Sequence, residues 1–325
     1  MKQEEKAKYL GDWLSSLGLA DSVSATVMKR KGLAVHSIHE IRAVVDDCRS
    51  LVCGGLEAGL DIWEMAVLPM LLYNSSCWLE ISPQTLQDLE GIQRQFYRCL
   101  FAVGSGCPIP CLYWETGGMM MKFRILQSKL LFLHHLVSLS DDSLAKEVFV
   151  LQERLALPGL VQECHEFMVK FGITKVEKYT KNQWKTLVKN KIMEMNKDAI
   201  LEQSLPYKKI NLSADEKFER RSYIKTLNIS EARLKFKLQA KMTPTIQMNF
   251  PSDAEFTKNL WTCSGCKDMD NALGDKVVGK RDTQQHVMVC PGYADHRENK
   301  DFDDDRDLVR YFQQVINQRL KADDV

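Results

Sequence analysis

The sequence predicts a mainly α-helical protein in three consecutive parts: a helical bundle over residues 1–170, a basic helical linker over 171–255, and a small cysteine- and histidine-bearing module over 256–325. Three observations carry this reading. Apolar residues recur at spacings of three and four from about Asp21 to Leu155, interrupted by turn chemistry. Alternating runs of useful length are missing, with the segment TIQMNF after Pro244 as the one candidate strand. From Phe171 to Phe250 lysine and arginine outnumber aspartate and glutamate by roughly two to one, and the segment is less apolar.

The best-marked helix lies in SPQTLQDLEGIQRQFYRCLFAV. Ser82 is a ready N-cap, Pro83 suits the first helical position, and Leu86, Leu89, Ile92, Phe96, Cys99, Leu100 and Val103 form one apolar face. Gly104, Gly106, Pro108 and Pro110 then end it in a rigid loop. A second helix, from about Met119 to Leu139, is apolar over most of its circumference and belongs at the centre of the bundle. DSLAKEVFVLQERL supplies a third, closed near Pro158 and Gly159.

In the linker, Lys181, Lys185 and Lys189 step by four beside an apolar stripe of Trp184, Val188, Ile192 and Met195. Arg233, Lys237 and Lys241 repeat the arrangement beside Leu234, Leu238 and Met242. Each pattern predicts a helix with one basic face, which either meets phosphate or is simply solvated. The final stretch is an acidic linker leading to a short helix on Leu308, Phe312, Val315 and Ile316.

Bulk composition narrows the function classes. A hydrophobic fraction of 45%, a charged fraction of 27% and a net charge of +1 describe an ordinary globular chain without a global field, so attraction to nucleic acid has to be local. The first ten residues lack the apolar core of a secretory signal, and no run approaches the length of a membrane span. Seven of the ten cysteines (Cys48, Cys53, Cys77, Cys99, Cys107, Cys111 and Cys164) are scattered through apolar sequence, as free thiols would be in a reducing compartment. These features predict a soluble protein of the nucleus or cytoplasm, with neither a membrane nor a small-molecule substrate as partner.

The strongest motif lies in WTCSGCKDMD and DTQQHVMVCPGY: Cys263-x2-Cys266, nineteen intervening residues, then His286-x3-Cys290. On a helix begun by Asp282 or Thr283, His286 and Cys290 share a face, while Gly265 lets a tight knuckle aim both sulfurs of the first pair inward. Three thiolates and an imidazole make a closed tetrahedral set for structural Zn2+, whereas catalytic zinc keeps one position open. The module has few large apolar residues, so a metal would substitute for a core. The bland reading is that these are loop thiols and a surface histidine; a redox dithiol fits less well, for no βαβ pattern surrounds the pair.

Other candidates are weaker. Asp46 and Asp47 suggest a metal-binding pair, but HEIRAVVDDCRSLV has helical spacing and reads as a solvated helical edge. His134 and His135 diverge by about 100° on a helix and cannot share an ion, so core packing is their default. Cys107 and Cys111 flank prolines without a nearby partner ligand. No phosphate-binding glycine loop, nucleophile elbow or zinc-protease helix occurs.

Taken in order, several stretches resemble the C-terminal part of a reverse transcriptase from a non-LTR (LINE-type) retrotransposon, and the likeness covers nearly the whole chain. KYLGDWLS, with Tyr9, Leu10 and Gly11, resembles the segment that leads from the polymerase palm into the thumb. LPMLLYNSSCWLEIS, IQRQFYRCLF, CPIPCLYWETG and KFRILQSKLLFLHHL resemble the helical region after the palm, and the Cys/His set resembles the motif near the end of such proteins. The family's catalytic aspartates lie upstream of the YLG segment, almost where this chain begins, and Asp46 and Asp47 fall downstream of it. The resemblance therefore implies a non-catalytic remnant: a thumb-like helical domain, a basic linker and a CCHC zinc module that hold RNA or DNA. Basic faces supply salt-sensitive attraction to phosphate, and Trp261 before the first cysteine either stacks on a base or packs on the knuckle. The rival expectation is a zinc-stabilised helical scaffold that docks a protein partner.

Overall fold

The computed structural model describes residues 6–9, 12–47, 53–78, 80–155, 160–207, 210, 212–242, 288, 293–297 and 300–323. The protein is mainly α-helical, as expected. It opens with an antiparallel hairpin of β1 (Lys6–Tyr9) and β2 (Asp12–Ser15), in which Tyr9 pairs with Asp12 and Lys6 with Ser15. Four-residue strands with mixed side chains leave no period-2 signature, which is why the sequence does not reveal them. Asp12 anchors the hairpin: its carboxylate accepts from Arg30 at 2.7 Å and from Asn74 at 2.9 Å.

Helix α1 (Leu19–Asp47) buries Val23, Val27, Ala34, Ile38, Ile41 and Val45 along one stripe. Helix α2 (Gly55–Ile62) passes through a π-helical turn at Trp63–Val67 into α3 (Leu68–Leu71). The inserted turn rotates Trp63 inward, where it stacks on Phe96 at a centroid distance of 4.3 Å. Phe96 belongs to α4 (Pro83–Phe101), which begins as expected: the Ser82 hydroxyl accepts from the Thr85 amide and Pro83 occupies the first turn.

Helix α5 (Ile109–Thr116) ends at Gly117 with φ +62°, and α6 (Met121–Val137) starts four residues later. Helix α6 lies against α4, α7 (Leu144–Arg154), α8 (Leu160–Lys170) and α9 (Lys181–Ser204), the central position its apolar circumference demands. Lys129 on α6 is fully buried and donates to Glu163 on α8 at 2.7 Å. Then come α10 (Tyr223–Thr226), α11 (Ile229–Gln239), α12 (Ala294–Arg297) and α13 (Asp305–Asp323). Among the described residues no helix is long and apolar enough to cross a membrane.

The expected boundary at residues 170 and 171 does not separate two cores. Trp184, Val188, Ile192 and Ile200 of α9 join the hydrophobic cluster of α1 through α8, and the Trp184 indole donates to the Leu130 carbonyl at 2.8 Å. Phe236 of α11 stacks on Phe101 at 4.1 Å, and Val309, Tyr311 and Phe312 of α13 complete the same cluster. The shift toward basic residues reports what the outer surface carries, not where packing stops.

One buried amide holds the centre. Asn196, completely buried on α9, donates from Nδ2 to the Gly118 carbonyl at 3.1 Å and accepts from the Met120 amide at 3.0 Å. It thereby replaces the turn residues' lost water bonds on both sides of the α5–α6 connection. A Cβ at Gly118 would lie 2.3 Å from the Tyr97 hydroxyl, and one at Gly117 would meet the Arg220 amide at 2.6 Å, so only glycine fits this crossing. Asn196→Ala strands two buried backbone groups and is expected to cost about 3 kcal/mol, read from the urea midpoint at constant m-value.

Candidate nucleic-acid interface

Helix α9 is built to display charge from a fixed base. Thr180 and Gln183 form a reciprocal capping box at its start. Trp184, Val188 and Ile192 anchor its inner side; beyond them the buried stripe continues through Asn196 instead of Met195, which is half-buried. Tyr179 packs on Trp184, and its carbonyl lies 3.0 Å from His134 Nε2, so His134 is a satisfied histidine at the edge of the core, as expected. His135 is exposed.

Lys181, Lys185 and Lys189 are all exposed on the outer side of this base, joined by exposed Lys175 and Lys178 just ahead of the helix. Among the described residues none of the first three is in an ion pair, whereas farther along α9 Lys191 pairs with Glu194 and Lys197 donates to the Glu216 carbonyl. The first turn of α9 has no acidic residue. Lys175, Lys178 and Lys181 thus stand near the positive end of the helix dipole, with Glu177 as the one carboxylate among them. Lys175 and Lys178 were legible in the run ITKVEKYTK, had the basic pattern been followed past the helix start.

The second expected basic face is not a face. Arg233 is buried: its Nε donates to the Leu100 carbonyl at 2.8 Å and its Nη1 to Asp46 at 2.6 Å. Asp46 is accordingly largely buried and paired, not part of a solvated edge, while Asp47 is exposed. Lys237 is half-buried, and burial followed by repulsion from Arg233 lowers its pKa. Lys241 lies beyond the helix end with φ +55° and lines a cleft beside α11. A charge every fourth residue looks the same in sequence whether it meets water or a carboxylate from a distant helix.

Cys263, Cys266, His286, Cys290 and Trp261 lie outside the described residues, as do Gly11 and the candidate strand TIQMNF. Tyr9 is placed by its backbone at the end of β1, opposite Asp12. Cys107 and Cys111 are both buried, and burial pushes the Cys107 thiol up to about 12 and Cys111 higher still. Both are free thiols packed in the core, as small hydrophobes are.

A polar cavity of about 370 Å³ opens between α5, α10, α11 and α13, lined in part by Trp114, Glu115, Arg221, Tyr223, Lys235 and Asp305. Lys235 is buried and ion-paired to Asp305 at 2.5 Å, and Arg221 reaches Glu216 at 2.7 Å. The buried Tyr223 hydroxyl faces the Glu115 carboxyl, close enough for each to influence the other's ionisation, although among the described residues it makes no hydrogen bond of ordinary geometry. The cations and carboxylates of this lining cancel, so it offers no field for a phosphate backbone, in contrast with α9. No protein-family model, no curated protein and no solved structure matches the chain.

Burial holds the Glu115 carboxyl above its ordinary 4.5, against a smaller downward pull from Arg221. Because the folded-state pKa is the higher one, the acid carries no penalty below pH 4.5, and stability is lost as pH rises through the folded value. Glu115→Gln should abolish that decline. The difference between wild-type and variant unfolding free energies, measured from pH 4 upward by denaturant titration, is expected to grow with pH and then level off.

Proposed function

We propose that this chain binds RNA or DNA without catalysing a reaction, and that it is related to the C-terminal thumb, linker and zinc-motif portion of non-LTR retrotransposon reverse transcriptases. One observation carries the binding half of the reading. Lys181, Lys185 and Lys189 stand exposed, outside any ion pair among the described residues, on a helix whose other side is locked into the core. A row of ammonium groups carried on a fixed helix can meet phosphates and release their counterions on contact. The kinship rests on the motif order from Tyr9 and Gly11 through the terminal Cys/His set.

The test is the salt dependence of binding. Lys181→Glu, Lys185→Glu and Lys189→Glu together should weaken affinity for a single-stranded oligonucleotide by more than about tenfold at low salt and flatten the log–log salt slope by about 2. Equal affinity and slope in wild type and variant would retire this surface.

The proposal includes a structural Zn2+ held by Cys263, Cys266, His286 and Cys290, supported by their chemistry and spacing. When bound, the ion would close the module in place of an apolar core and take no part in a reaction. About one zinc per chain is expected by elemental analysis, lost in Cys263→Ser or His286→Ala while most helical circular dichroism is retained. Unchanged metal content would remove the ligand assignment.

A further inference from the structure

Helix α7 inverts the usual amphipathic arrangement. Its single buried residue is Phe149, and Lys146 beside it donates to the Val137 carbonyl at the end of α6 at 2.7 Å. On the opposite side Leu144, Val148, Leu151 and Leu155 are 73%, 45%, 51% and 56% exposed. Their spacing of four, three and four is that of a coiled-coil seam, and water is a poor neighbour for four such side chains in a row.

From this pattern we infer that α7 is the contact of a two-fold homodimer in which two copies of the helix pack antiparallel. The stripe is its own complement. Turned end to end, Leu144 of one copy meets Leu155 of the other, and Val148 meets Leu151, so each layer joins one residue of each seam position. The flank agrees: Glu147 and Arg154, both exposed, lie seven residues apart on the same side of the seam. Antiparallel pairing brings Glu147 of each copy to Arg154 of its mate, giving two symmetry-related ion pairs. A parallel pair would instead set Glu147 against Gln152, with no charge complement. An unrelated partner helix would impose no reason for this stripe and flank to reverse onto themselves. The contact is separate from the lysines of α9, so it stands or falls independently of nucleic-acid binding.

The interface is small, so the dimer should dissociate in roughly the micromolar range. Sedimentation equilibrium of the full chain at on the order of 100 µM should approach twice the 37.3 kDa chain mass. Leu151→Glu, a substitution at an exposed position, should return it to monomer. Glu147→Arg should raise the dissociation constant about tenfold by setting like charges together, and adding Arg154→Glu should restore it to within about threefold. A monomer at the highest concentration, a dimer indifferent to Leu151→Glu, or equal weakening by the single reversal and the double exchange would each overturn the inference.

Discussion

The Asn196 carboxamide, clamped on the turn from Gly117 to Met120, is the constraint on which the rest of the architecture depends. Helices α4, α5, α6 and α9 meet there. Gln93 of α4 and Arg124 of α6 both donate to the Met119 carbonyl at 3.1 Å, and the Arg221 amide donates to the Glu115 carbonyl just before the turn. Fixing α9 at this depth orients its inner stripe and therefore decides which lysines can face water. Positive charge on the outside is a consequence of a polar contact on the inside.

Much of the fold was legible in the sequence because its signals are local. The Ser82 cap and Pro83 locate the start of α4, its apolar spacing overruns the observed end at Phe101 by two residues, and the circumference of α6 places it centrally. What was not legible depends on partners remote in the chain. Arg233 reads as a surface cation until Asp46 is found beside it, 187 residues away. Asn196 interrupts an otherwise apolar stripe, and nothing nearby announces that its partners are backbone atoms 76 and 78 residues earlier. The hairpin of β1 and β2 escaped because two four-residue strands carry too little pattern to compete with noise.

Charge in this molecule is sorted by depth. Lys129, Arg233 and Lys235 are buried and each has its own carboxylate, so they stitch helices together and have little left to offer a ligand. The lysines along the first half of α9 are the opposite case. Composition alone counts both kinds equally, which is why a doubling of cations over anions between Phe171 and Phe250 marked a boundary that packing does not recognise.

The bond between Arg233 and Asp46 also sets a clock for biosynthesis. At about 5 to 20 residues per second, a ribosome needs roughly 10 to 40 seconds to add the 187 positions separating them. Until α11 is made, the nascent α1 lacks the guanidinium that pairs with Asp46, and α4, once made, lacks Phe236 against Phe101 and the donor to the Leu100 carbonyl. The growing polypeptide thus carries apolar surface that waits for α11 to cover it, the kind of surface through which incompletely folded chains associate.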